Sequence, residues 1–238
     1  MIDLVYAAHH WTSNADLIAA IGQSPLPYLS DDRLTLDPTY GKGTWWKKWK
    51  PGRFVGSDGD PAKSPQDRSV DFTDLPHADG TFGAVVFDPP YKLNGAPSID
   101  TDERYGVHAV TSREDRHELM RAGVVECARV LAPGGYLLVK CQDQVNGGAV
   151  RWQTDLVTEW AEKEGLRKVD LFLFLGGREQ PSERKRPGCP TCRGKVTKVK
   201  AGRKCREHGV VEPIEVEVEQ AHARHNYSTL LVFWKPNG

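Results

Sequence analysis

No apolar run in the chain approaches the roughly 20 residues that a membrane-spanning helix requires, so no membrane is expected among its partners. The opening MIDLVYAAHHW lacks the basic start and long apolar core of a secretory signal peptide, which makes a cytoplasmic location the expectation. Cysteine is scarce, five in 238 residues. In a reducing compartment these are thiols or metal ligands rather than disulfides. Net charge is absent as well, with 32 Lys and Arg against 32 Asp and Glu, so the whole chain has no general attraction for a polyanion. There is no G-x-G-x-x-G, which disfavours a nicotinamide dinucleotide, and no internal repeat. What remains is 39% hydrophobic and 27% charged, long enough for one sizeable core and a small appendage.

The zero net charge conceals two basic stretches. From Ser182 to His208 ten Lys and Arg stand against Glu183 and Glu207. From Gly41 to Arg53 five basic residues and three tryptophans occur with no acidic residue. Local charge therefore points to a polyanion partner where the total does not. The tryptophans Trp45, Trp46 and Trp49 have helical spacing, which fits packing as well as nucleic-acid contact.

Strand patterns alternate with helical ones, predicting an α/β fold around a doubly wound, mostly parallel sheet. RLTLD (33–37), RFVGSD (53–58), a weaker RSVDF (68–72) and FGAVVFD (82–88) read as strands, the last buried on both faces. Residues 112–135 open with Ser112 and an acid three positions on, predicting a capped helix that stops at Pro-Gly-Gly. YLLVKC (136–141), a helix over 152–165, VDLFLFL (169–175) and YSTLLVFW (227–234) continue the pattern.

Asp37, Asp58, Asp71 and Asp88 fall at or near strand ends, where open α/β sheets bind their ligands. Asp37-Pro38 leads into Tyr40-Gly41-Lys42-Gly43-Thr44, whose glycines allow a sharp turn and close approach to a ligand. Asp58 is placed to accept hydrogen bonds from ribose hydroxyls.

LDPTYGKGT, the acid after the second strand, VDF and VVFDPPY together resemble the S-adenosylmethionine-dependent amino-methyltransferases, closest to those specific for adenine N6 in DNA. The resemblance covers residues 30–175 and 226–235. It implies a seven-stranded class I methyltransferase sheet whose last strand is antiparallel. It also implies cofactor binding by Asp37, Pro38, Gly41 and Gly43 at the methionine end, Asp58 at the ribose, and Asp71 with Phe72 at the adenine. Residues 93–111 would form a mobile loop over the site. Catalysis would fall to Asp88, Pro89, Pro90 and Tyr91: two acceptors on the two N–H groups of an exocyclic amine free its lone pair, and the tyrosine ring stacks on the base. The implied partner is DNA, in the manner of restriction–modification enzymes. RNA, with adenine N6 or guanine N2 as the target, or DNA cytosine N4, is the alternative. A non-catalytic zinc-containing nucleic-acid binder and a protein-side-chain methyltransferase are further options.

About fifty residues before the last strand break the alternation. They space Cys189, Cys192, Cys205 and His208 as C-x2-C-x12-C-x2-H, four soft ligands suited to tetrahedral, structural zinc. The expected organisation is a methyltransferase core over 1–176, a basic zinc-knuckle insertion for target recognition over 177–224, and the last core strand over 225–238. Lys140, Asp143 and Asn226 lie near strand ends without an assigned role, and no oligomeric state is implied.

Overall fold

Residues 11–93, 112–146, 149–175, 185–199, 201–217 and 227–237 are described by the computed structural model. Two units result, Met1–Gly177 with His225–Gly238, and Arg178–Arg224. The elements in chain order are α1 (Asn14–Gly22), β1 (Thr35–Asp37), a 3-10 turn (Thr44–Trp46), β2 (Phe54–Gly56), β3 (Phe82–Phe87), α2 (Arg113–Val130), β4 (Leu131–Cys141), β5 (Gln144–Asn146), β6 (Ala149–Arg151), α3 (Gln153–Lys163) and β7 (Arg167–Leu175). The smaller unit then supplies β8 (Lys185–Gly188), β9 (Val196–Val199), β10 (Gly202–Cys205), β11 (Gly209–Val211) and β12 (Ile214–Glu217), and β13 (Tyr227–Trp234) returns to the larger.

The main sheet has the order β2-β1-β3-β4-β13-β7. Strands β1 to β4 pair in parallel, and β13 runs antiparallel to both β4 and β7. Alternation along β3 explains its place at the centre. Val85 and Phe87 pack into a cluster with Met120 and Val124 of α2 and Trp160 of α3. Ala84 and Val86 face the opposite cluster, with Leu17, Ile18 and Ile21 of α1 and with Trp45 and Trp46. Both tryptophans are thus core residues, buried to 7% and 6% exposure.

The main sheet has six strands among the described residues where seven were expected. RSVDF is the difference, reduced to one parallel bridge between Ser69 and Asp58. Val70 and Phe72 still point into the core, but the Asp71 carboxylate accepts from the Thr73 amide (2.8 Å) and hydroxyl (2.7 Å), which turns the chain before a ladder can extend. Helix α2 carries the expected capping box, with Ser112 and Asp115 exchanging hydrogen bonds. It ends at Val130, short of the expected 135, because Pro133 disfavours helical backbone before it and Leu131 instead pairs with Phe82. Helix α1, capped by Ser13, and the β5–β6 hairpin had no counterpart in the sequence reading.

In the smaller unit β9, β10 and β11 form an antiparallel sheet, and β8 pairs with β12. Its hydrophobic cluster contains only Cys189, Val196 and Cys205, with Val211 packed against them. So small a core does not hold a fold without a further tie.

Candidate functional site

The parallel strands β1 to β4 all end at one edge of the sheet, and their terminal residues are joined there by hydrogen bonds. The Asp37 carboxylate accepts from the Thr39 amide (2.9 Å) and hydroxyl (3.3 Å) on one oxygen and from the Trp46 indole (2.7 Å) on the other. Burial pushes its pKa up to about 7, aided by the nearby Asp88 charge and opposed by the hydrogen bonds from Trp46 and Thr39. The Thr39 hydroxyl in turn accepts from the Asp88 amide (2.9 Å), which ties the end of β1 to the end of β3.

Asp58 accepts from the amides of Gly41 (2.8 Å) and Asp60 (2.9 Å). One carboxylate therefore fixes the glycine loop against the end of β2. Gly41 and Gly43 both adopt positive φ, +56° and +62°. A Cβ at Gly43 would lie 2.5 Å from the Tyr40 hydroxyl, whereas at Gly41 it would meet only the Thr39 carbonyl at 3.9 Å, so that turn borders open space. Replacing Asp58 with alanine leaves two amides without acceptors and is expected to lower stability by about 1–3 kcal/mol. Denaturant midpoints measure that loss.

At the end of β3, Asp88 is partly open to solvent as a residue, yet its Oδ1 atom is buried and has no hydrogen-bond partner among the described residues. Burial raises its pKa above the ordinary carboxylate range, against the Lys140 charge, the Trp45 indole and the Lys92 charge. The prolines that follow make a tight turn in which the Pro89 carbonyl accepts from the Tyr91 amide at 2.8 Å. The next two carbonyls are held from outside. Pro90 accepts from Arg116 (3.2 Å), and Tyr91 accepts from Gln144 (2.8 Å) and Gln153 (2.9 Å). The Tyr91 side chain packs against the α2–α3 cluster.

Not every expected site residue joins this network. Pro38 lies within the loop, but Asp71 is exposed and bonded to Thr73. Phe72 is buried edge-on against Phe87 (5.2 Å between centroids). Asp143 accepts from the Thr154 amide (2.9 Å) and hydroxyl (3.0 Å), holding the start of α3. Lys140, 6% exposed at the end of β4, donates to Asn14. Asn226 and residues 94–111, expected to cover the site, lie outside the described residues. The contacts of Thr39 with Asp88 and of Arg116, Gln144 and Gln153 with the Pro90 and Tyr91 carbonyls gave no sequence signal, since each joins residues distant in the chain.

The second cluster lies in the smaller unit. One ligand atom from each of Cys189, Cys192, Cys205 and His208 falls within 4.8 Å of all the others. Cys189 Sγ and Cys205 Sγ lie 3.6 and 3.5 Å from His208 Nδ1, and Cys192 Sγ lies 3.6 Å from Cys205 Sγ. Four ligands about 2.0–2.3 Å from a zinc ion stand roughly 3.5–3.8 Å apart, so three sulfurs and one nitrogen at these spacings fit a closed tetrahedral site. The Cys192 amide lowers the Cys189 thiol and the His208 and Glu207 amides lower Cys205, while at Cys192 the Gly194 amide is outweighed by burial and the neighbouring Cys205 and Cys189, which raise that thiol.

No protein-family model matches this chain, and no curated protein matches its sequence. Solved structures do. A chain in the complex of the Haloferax volcanii Trm112 methyltransferase activator with a candidate methyltransferase is 15% identical, with 97% of this chain and 91% of that one covered and a TM-score of 0.52. A candidate methyltransferase from Bacillus halodurans is 14% identical over 94% and 99% of the two chains, with a TM-score of 0.51. The fold is methyltransferase-like. A candidate DNA modification methylase from Thermus thermophilus, solved with S-adenosylmethionine, is 16% identical over 71% of this chain, with a TM-score of 0.40. This chain spans about half of that protein, 54%, and at that score the likeness carries no weight for fold or substrate. Among the described residues no helix is long and apolar enough to cross a membrane.

Proposed function

We propose that this chain methylates the exocyclic N6 amine of adenine in DNA. The observation that carries the reading is the unpartnered, buried Oδ1 of Asp88, at the end of the central strand and next to a rigid Pro-Pro-Tyr turn. A buried acceptor without a donor is costly, and of the buried unpartnered atoms among the described residues this carboxylate oxygen is the one at the end of the central strand, where a bound donor can meet it. An exocyclic base amine brings two N–H donors. One meets Asp88, and the other meets the Pro89 carbonyl, which has a second lone pair beyond the one taken by Tyr91. With both N–H groups held, the nitrogen lone pair is released from the ring.

S-adenosylmethionine, when bound, supplies an electrophilic sulfonium methyl. The open turn at Gly41, fixed by Asp58 and bordered by Asp37, Pro38 and Gly43, is the cradle this chain offers it. Asp71 and Phe72 are further candidates for its adenine end. A base inside a duplex must leave the stack to reach Asp88, at a few kcal/mol, and Tyr91 with phosphate contacts can offset that.

The smaller unit suits such contacts. Arg203 lies directly opposite Lys198 on paired strands, and neither is ion-paired among the described residues. Like charges so placed repel, and a phosphate backbone relieves the repulsion. Structural zinc on Cys189, Cys192, Cys205 and His208 would hold this sheet together.

The test is incubation with methyl-labelled S-adenosylmethionine and separate DNA and RNA pools, then digestion to nucleosides and mass spectrometry. N6-methyladenine from DNA is the expected product. Label found only in RNA, or in cytosine and never in adenine, overturns the assignment.

A further inference from the structure

We infer that Lys140 is a positioning residue whose buried ammonium keeps Asp88 ionised without occupying the atom that accepts the substrate. The inference rests on the reading of Asp88 as acceptor for the target amine.

The sheet places the two residues side by side. Strands β3 and β4 are parallel with Phe87 opposite Val139, and both of those side chains enter the α2–α3 cluster. Continued by one residue past the end of β3, that register sets Asp88 beside Lys140 on the opposite face, that of α1 and the 3-10 turn, where the charge of each acts on the other. On that face Lys140 Nζ donates to Asn14 Oδ1 (2.9 Å) and lies 5.3 Å from the Trp45 ring centroid and 4.5 Å from that of Phe174. Its direct contacts are one neutral amide and two aromatic rings, the charges of Asp88 and Lys92 act on it from further away, and among the described residues no carboxylate is ion-paired with it.

A buried ammonium without a direct counter-ion is destabilising, and an apolar side chain would pack between Trp45 and Phe174 without that penalty. Asp88 carries the reciprocal cost. Burial lowers the pKa of Lys140 against the pull of Asp88, and raises that of Asp88 against the pull of Lys140. The other charges facing Asp88 are Lys92 from its own loop and Asp37 from β1. The 3-10 turn, α1 and β7 present only neutral Trp45, Asn14 and Phe174. A hydrogen-bonded salt bridge would fill the lone pairs of Asp88. Lys140 instead donates to Asn14, so its charge acts on Asp88 while Oδ1 stays unpartnered.

The test compares pH–rate profiles of methyl transfer for the natural protein, Lys140→Met and Asn14→Asp. Lys140→Met removes the field. Asn14→Asp places a carboxylate within reach of Nζ and diverts the field. Both acid limbs are expected to move to higher pH, by about one unit or more for Lys140→Met, with its plateau approaching the natural rate at alkaline pH. Identical limbs in all three proteins overturn the inference. If Lys140→Met fails to fold by circular dichroism, Asn14→Asp alone decides. A second readout needs no turnover: the carboxylate infrared band of Asp88, assigned with Asp88→Asn, should titrate at higher pH in either variant. An unmoved midpoint overturns the inference. If the natural protein methylates no nucleic acid, the reading of the target fails, and the infrared titration still decides the coupling to Lys140.

Discussion

Replacing Asp88 with asparagine is expected to slow methyl transfer by roughly 10²–10³-fold or more while leaving affinity for S-adenosylmethionine within a few fold. The substitution keeps the shape of the side chain and removes its charge. In one amide orientation the substrate amine meets a neutral oxygen, and in the other it meets a second donor. Neither holds the nitrogen as a carboxylate does. The loop hydrogen bonds from the Asp88 amide to Thr39 and from Arg116, Gln144 and Gln153 to the following carbonyls use main-chain atoms and survive the change. The effect should therefore fall on turnover and not on folding. Single-turnover rates, cofactor titration and circular dichroism separate the three.

The pH dependence follows from the same atom. Protonated Asp88 would donate where the proposed reaction needs an acceptor, and burial lifts its pKa above the ordinary range. Activity is expected to rise with pH through that raised value, and the residual activity of Asp88→Asn should lack this limb. Undiminished turnover by the variant would remove Asp88 from the mechanism.

Metal removal should have the second large effect. The smaller unit buries three hydrophobic-cluster residues, two of which are themselves ligand cysteines. Structural zinc contributes on the order of 10–16 kcal/mol to such folds, far more than that cluster can. Elemental analysis is expected to find one zinc per chain. In the double variant Cys189→Ser, Cys192→Ser the metal should be lost and amide protection across β9, β10 and β11 should collapse. Binding to duplex DNA should weaken by about 10²-fold or more and lose much of its salt dependence, because Lys198 and Arg203 are no longer held side by side. Cofactor affinity should change little, since the glycine loop and the strand ends belong to the larger unit. Protein isolated without chelator and free of metal would count against the zinc reading, and unchanged DNA affinity in the double variant would count against the unit's role.

The sequence by itself determined what is local. The alternation that makes β3 a core strand, the serine and aspartate that cap α2, the aspartates at the ends of β1 and β3 and the paired ligand spacings all lie within a few residues of one another. Periodicity and capping chemistry operate over that range, so these features could be read directly. The tertiary structure decided which of them meet. That the Asp58 carboxylate holds Gly41 depends on β1 and β2 pairing in register. The position of Lys140 beside Asp88 depends on β4 lying next to β3, a choice made by buried side chains on both faces of the sheet. The same competition left RSVDF as a single bridge, because a local Asp71–Thr73 turn outweighed pairing at the sheet's rim. Sequence periodicity assigns a residue to a face, but only the order and register of the strands assign it a neighbour.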